Sequence, residues 1–72
     1  MGDFEQLNKK LGENIISLRK KHGLSQIDLS VLLNIEDSAL RRIEKGRTNP
    51  TLKTLNSIAE NLNVKLSELL DV

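Results

Sequence analysis

A chain of 72 residues makes one small domain with a marginal core, a size often reinforced by disulfides, metals or a second subunit. It has no cysteine, which excludes disulfides and thiolate metal sites. Its only aromatic residue, Phe4, argues against modules that grip single strands or RNA by stacking bases on rings. Net charge is +1, but unevenly spread. From Arg41 to Lys53 five cations face Glu44 alone, a local +4, whereas residues 54–72 sum to −2 and those before Arg41 to −1. The longest strictly apolar run, Val31-Leu32-Leu33, is far short of a membrane span, and Asp3 and Glu5 do not fit a signal peptide. With the missing cysteines, this leads us to expect a cytoplasmic protein.

Apolar residues recur at helical rather than alternating spacing, so a single all-α domain of five short helices over residues 1–72 is expected. In the first segment Leu7, Leu11, Ile15 and Leu18 form one stripe, closed by Lys20, Lys21 and His22 before Gly23, a standard helix stop. The second opens with Ser25 and has Asp28 three residues on, a capping box with Asp in place of Glu. Leu29, Leu32 and Leu33 follow, then Asn34, which can take a left-handed turn. In the third segment, Ala39, Leu40 and Ile43 are apolar and Gly46 ends the helix. The fourth starts at Thr51 after Pro50 and carries Leu52, Leu55, Ile58, Ala59 and Leu62, with Asn63 as the turn signal after it. The last carries Leu66, Leu69 and Leu70. Helices this short need tertiary burial to persist.

Segments two and three, joined by a tight turn at Asn34-Ile35, form a helix-turn-helix pattern over about residues 26–45, in which the second helix docks in a major groove. On a helical wheel Asp37, Ser38, Arg41, Arg42 and Lys45 fall within an arc of about 140°, opposite Ala39, Leu40 and Ile43. That outward face is wholly polar and rich in arginine, the residue that pairs bidentately with guanine. Taken alone, it also fits an ordinary solvated helix face.

The stretch from Leu11 to Leu70, and in particular "LSQIDLS", "RRIEKGRTNP" and "TLKTLNSIAENLNVKLSELL" at their spacing, resembles the Xre, or lambda-repressor-like Cro/C1-type, helix-turn-helix family. The resemblance implies a compact five-helix DNA-binding domain over about residues 15–69. It also implies roles. Gln26 would bond a DNA phosphate at the start of the second helix. Glu36, Asp37, Ser38, Arg41 and Arg42 would face base edges. Lys45, Arg47, Thr48 and Asn49 would lie along the phosphate backbone. Arg19 and Glu44 would form an internal salt bridge that fixes the third helix. The implied partner is a palindromic duplex operator.

Two departures from the family pattern stand out. Glu36 replaces the usual Ser or Thr cap of the third helix, and Asp37 stands where Arg, Gln or another polar residue is common. Acids suit the positive end of a helix by about 0.3–1 kcal/mol, and Asp37 is spaced for an i,i+4 pair with Arg41. In a groove, Asp37 either accepts from a cytosine amino group or only orients Arg41; alternatively this face meets a protein. The second departure is surplus apolar surface. Ile16 and Val31 occupy positions usually polar in the family, and Phe4, Leu7, Leu66, Leu69, Leu70 and Val72 add more at the ends. A homodimer through the last helix (Leu66, Leu69, Leu70, Val72), helped by the N-terminal turn, is the expected result.

Catalysis is not expected. The only histidine, His22, sits in a basic helix end, the paired acids Glu36 and Asp37 open a helix, and the sequence has no phosphate-binding glycine loop or metal-ligand cluster. No metal or cofactor is implied, nor a separate effector domain. Two functions follow: a transcriptional regulator, repressor or activator, or an antitoxin-like or restriction-controller-like protein that binds a partner, such as a toxin, and autoregulates its operon.

Overall fold

The computed structural model describes residues 2–71, Gly2 and Phe4 by backbone only. It contains α1 (Gly2–Lys21), α2 (Gln26–Leu33), α3 (Asp37–Glu44), α4 (Leu52–Asn61) and α5 (Leu66–Leu69), with no strand among the described residues. The all-α architecture is as expected. One length differs: α1 is not short but runs 20 residues from Gly2. Asp3 and Glu5 in its first turn and Arg19, Lys20 and Lys21 in its last suit the helix dipole at both ends.

The first four helices end in the same way. Gly23, Asn34, Gly46 and Asn63 each adopt left-handed backbone, with φ of 69°, 57°, 71° and 58°. At each, two backbone bonds close the turn in a Schellman pattern: Leu24 N–H to Arg19 O and Gly23 N–H to Lys20 O after α1, Ile35 to Ser30 and Asn34 to Val31 after α2, Arg47 to Arg42 and Gly46 to Ile43 after α3, and Val64 to Ala59 and Asn63 to Glu60 after α4. Glycine adopts this backbone without a Cβ clash, and asparagine tolerates it better than most residues, so these four turn signals fix where each helix stops.

The starts are less uniform. Ser25 and Asp28 make the capping box of α2, with Ser25 Oγ accepting from Asp28 N–H at 3.0 Å and Asp28 Oδ2 accepting from Ser25 N–H at 2.9 Å. Thr51 Oγ1 accepts from Thr54 N–H at 3.1 Å and caps α4. Glu36 occupies the cap position of α3 without a side-chain bond.

All five helices contribute to the core: Leu11 and Ile15 from α1, Leu29 from α2, Leu40 and Ile43 from α3, Leu55, Ile58 and Ala59 from α4 with Leu62 at its end, and Leu69 from α5. Burying each large side chain contributes about 1.5–3 kcal/mol before conformational entropy is charged against it. Leu69 corrects the expected dimer surface. It is 0% exposed within one chain, as part of the apolar core, and Asn14 Nδ2 on α1 donates to the carbonyls of Leu69 (3.2 Å) and Asp71 (3.1 Å), which fastens the last turn to α1. Leu66 is half-buried against the same core, and only Leu70 of the described trio is exposed. Val72 and the side chain of Phe4, both counted as surplus apolar surface, lie outside the described residues. Ile16 is half-buried, whereas Val31 is 71% exposed. No helix of the described residues is long and apolar enough to cross a membrane.

Candidate nucleic-acid interface

The eight residues of α3 divide cleanly between two faces. Leu40, Ile43 and Glu44 are buried, while Asp37, Arg41 and Arg42 are exposed and Ser38 and Ala39 are half-buried. Arg41 Nη2 lies 3.5 Å from Asp37 Oδ2, both side chains about half exposed, in the i,i+4 arrangement. At that separation and exposure the pair is worth about 0.5 kcal/mol or less. Arg42 has no ion pair among the described residues. The two acids therefore sit at the positive end of the helix, with Asp37 already turned to Arg41, and Arg42 is left unengaged.

The back of α3 is held by a polar network. Arg19 Nε donates to Glu44 Oε2 at 2.8 Å and Nη2 to Glu44 Oε1 at 3.2 Å, a two-pronged pair with side chains 11% and 2% exposed. Arg19 Nη1 also donates to the Leu24 carbonyl at 2.9 Å. Glu44 Oε1 takes a further bond, from Gln26 Nε2 at 2.8 Å. One buried carboxylate thus ties together the end of α1, the first residue of α2 and the last of α3. Gln26 spends one amide N–H on Glu44 and retains a second. The Gln26–Glu44 bond was not anticipated from the sequence, where the two residues stand 18 positions apart.

The turn after α3 rests directly on α1. A Cβ at Gly46 would fall 2.7 Å from Lys9 Cα and 2.8 Å from its N, so only glycine lets the two backbones meet. A Cβ at Gly12 would fall 2.7 Å from the Glu44 carbonyl carbon and 2.9 Å from the Ile43 carbonyl oxygen, so α3 ends against a bare stretch of α1. Asn8 Nδ2 donates to Asn49 Oδ1 at 2.6 Å, fastening the loop farther along. Lys45, Arg47, Thr48 and Asn49 line one open groove with Glu5, Asn8 and Lys9. Asn8, Lys9 and Gly12 escaped the sequence reading. The one available signal was Gly12 itself, a lone glycine inside a helical pattern.

The residues expected to meet DNA fall in two groups: Asp37, Ser38, Arg41 and Arg42 on the outward side of α3 behind Glu36, and Lys45 to Asn49 beyond its end. Gln26 joins them through Glu44. A family model described as helix-turn-helix matches residues 15–69. The chain belongs to the Xre/Cro-C1-type helix-turn-helix family. Among its relatives, the HTH-type transcriptional regulator DdrOP3 of Deinococcus deserti is 37% identical over 62 residues, covering 86% of this chain and 48% of the relative. The chain thus spans about half of that protein. An uncharacterized HTH-type transcriptional regulator, y4dJ of Sinorhizobium fredii, is 35% identical over 63 residues, covering 88% and 82%. Among solved structures, the restriction-modification controller protein C.AhdI of Aeromonas hydrophila superposes with a TM-score of 0.83 at 29% identity, covering 96% of this chain and 98% of that one.

Proposed function

We propose that this helix-turn-helix chain is a sequence-specific duplex-DNA-binding transcriptional regulator of the cytoplasm, without catalytic activity, that inserts α3 into the major groove. The observation that carries this reading is the division of α3: a back face locked by the buried Arg19–Glu44 pair and a front face on which Arg41 and Arg42 stand exposed. A helix so held presents arginines in a fixed attitude, which base readout requires. Arg42 reads guanine and Arg41 reads beside it, steadied by Asp37. Ser38 and Glu36 border the same bases. Lys45, Arg47, Thr48, Asn49 and the free N–H of Gln26 hold phosphates, which sets affinity and register rather than sequence.

Random-site selection followed by binding titrations at several salt concentrations tests this. One enriched duplex sequence is expected. Arg41→Ala and Arg42→Ala should each lose about 1–3 kcal/mol on that duplex and little on random DNA. No enriched sequence, with only nonspecific affinity at low salt, would end the reading.

The regulator also acts as a homodimer on a palindromic operator. With Leu69 committed to the core, the supporting surface is the apolar groove of Leu7, Leu11, Pro50, Leu55 and Leu70, where Leu7 and Leu70 are exposed. Sedimentation at high micromolar concentration should show a dimer, and a monomer alone would refute it. A second reading, binding of a toxin or other partner protein together with operon autoregulation, draws on one observation: α2 leaves Ile27, Val31 and Leu32 exposed. A toxin-like or restriction-system gene beside this one would favour it.

A further inference from the structure

The turn after α3 and the first half of α1 form a single basic surface. Gly46 brings the two backbones into contact at Lys9, and the Asn8–Asn49 bond closes the far side. Between them lies an open groove of about 500 Å³. Its walls carry Lys9 from α1 and Lys45 and Arg47 from the turn, all exposed, against Glu5 as the acid of the groove. None of these three cations has an ion pair among the described residues. The fold therefore collects three like charges on two segments 36 to 38 residues apart in sequence, with Glu5 as the one opposing charge in the groove and no ion pair to any of the three. Thr48 and Asn49 add polar groups to the same wall. Such a surface is complementary to an anion that is itself part of a charged polymer.

We infer that Lys9 completes a seat for one backbone phosphate of the duplex, shared with Lys45 and Arg47, so that α1 as well as the helix-turn-helix grips the DNA. The inference rests on the duplex-DNA reading above. Lysine is a point charge without the planar fork that reads bases, so its contact is with phosphate and is blind to sequence. Asn8 serves as a positioning residue: by holding Asn49 it keeps the turn against α1 and the three cations together.

The test uses the full chain, the selected duplex and a scrambled duplex of equal length, titrated from about 50 to about 200 mM salt. Lys9→Ala should weaken binding to both duplexes by the same factor and make the salt dependence shallower by about one phosphate. Its affinity would then fall about three- to four-fold less than wild type over that range. Lys9→Arg should restore wild-type behaviour. Lys65→Ala, in a separate groove beside Glu60 and Glu68, should change nothing. Wild-type affinity and slope in Lys9→Ala, with wild type binding normally, would overturn the phosphate seat alone. A loss confined to the selected duplex would also overturn it, by making Lys9 a base reader. Failure of wild type to bind either duplex would sink the duplex-DNA reading and this inference with it.

Discussion

The two helices of the motif have eight residues each and are held by opposite means. In α2 the fixation is local. A capping box starts it, a left-handed asparagine ends it, and its one large buried side chain is Leu29. In α3 it is tertiary. The cap residue Glu36 makes no side-chain bond, but the far end is gripped by Arg19, seated on Gly12 and closed by Gly46 against Lys9. The ends of α2 are set by its own sequence, although its burial is tertiary, whereas the attitude of α3 is borrowed from α1.

This contrast can be broken most severely at Glu44. Glu44→Ala strands Arg19 in a largely buried site and frees Gln26, and should lower stability by about 3–5 kcal/mol in thermal or denaturant unfolding. A loss below about 1 kcal/mol would mean that α3 does not depend on the pair. Gly12→Ala comes next. Helix propensity alone predicts a gain of about 1 kcal/mol, but the new Cβ meets the Ile43 and Glu44 backbone, so a net loss of about 1–3 kcal/mol is expected. Measured stabilisation would show that α3 can move away from α1 at no penalty.

Ser25→Ala attacks α2 instead and should lose about 1 kcal/mol, with DNA affinity of the folded protein unchanged. The same cap gives an acid limb to stability. Bonds from the Ser25 backbone and side chain hold the Asp28 carboxyl below its ordinary pKa of 3.8. A lowered folded-state pKa contributes stability that is complete above 3.8 and is lost as pH falls through the folded value, so Asp28→Asn should flatten the stability profile below that pH and leave neutral pH free of this dependence. The smallest expected effect is at Asp37. Asp37→Ala should change stability by about 0.5 kcal/mol or less. If the residue only steadies Arg41, the variant should gain nonspecific DNA affinity, whereas a changed preference at one base pair would mean that it touches a base.

What could be read in the sequence follows the same line. The Ser25 and Thr51 starts, the stops at Gly23, Asn34, Gly46 and Asn63 and the Asp37–Arg41 spacing are all local, and each follows from one or two neighbouring residues. The Arg19–Glu44 pair was suggested by family resemblance alone, since the partners lie 25 positions apart. The long-range details were hidden. Nothing in the spacing of Asn8 and Asn49, or of Gln26 and Glu44, shows that they meet. The tail misled because Leu66, Leu69 and Leu70 look alike as letters. Which of them turns inward depends on how the last turn lies against α1, where Asn14 bonds to the backbone of Leu69 and Asp71.

One feature of α3 bears on how such a protein can change. Its anchors (Leu40, Ile43 and Glu44) and its outward residues (Asp37, Arg41 and Arg42) do not overlap, and half-buried Ser38 and Ala39 stand between the two sets. If α3 reads an operator as proposed, its preference can drift, or be rewritten by design, through three exposed positions while the scaffold behind them stays unaltered. Retargeting through Ser38 carries a steric limit: a bulkier residue there must find room against its neighbours before it can offer a new contact.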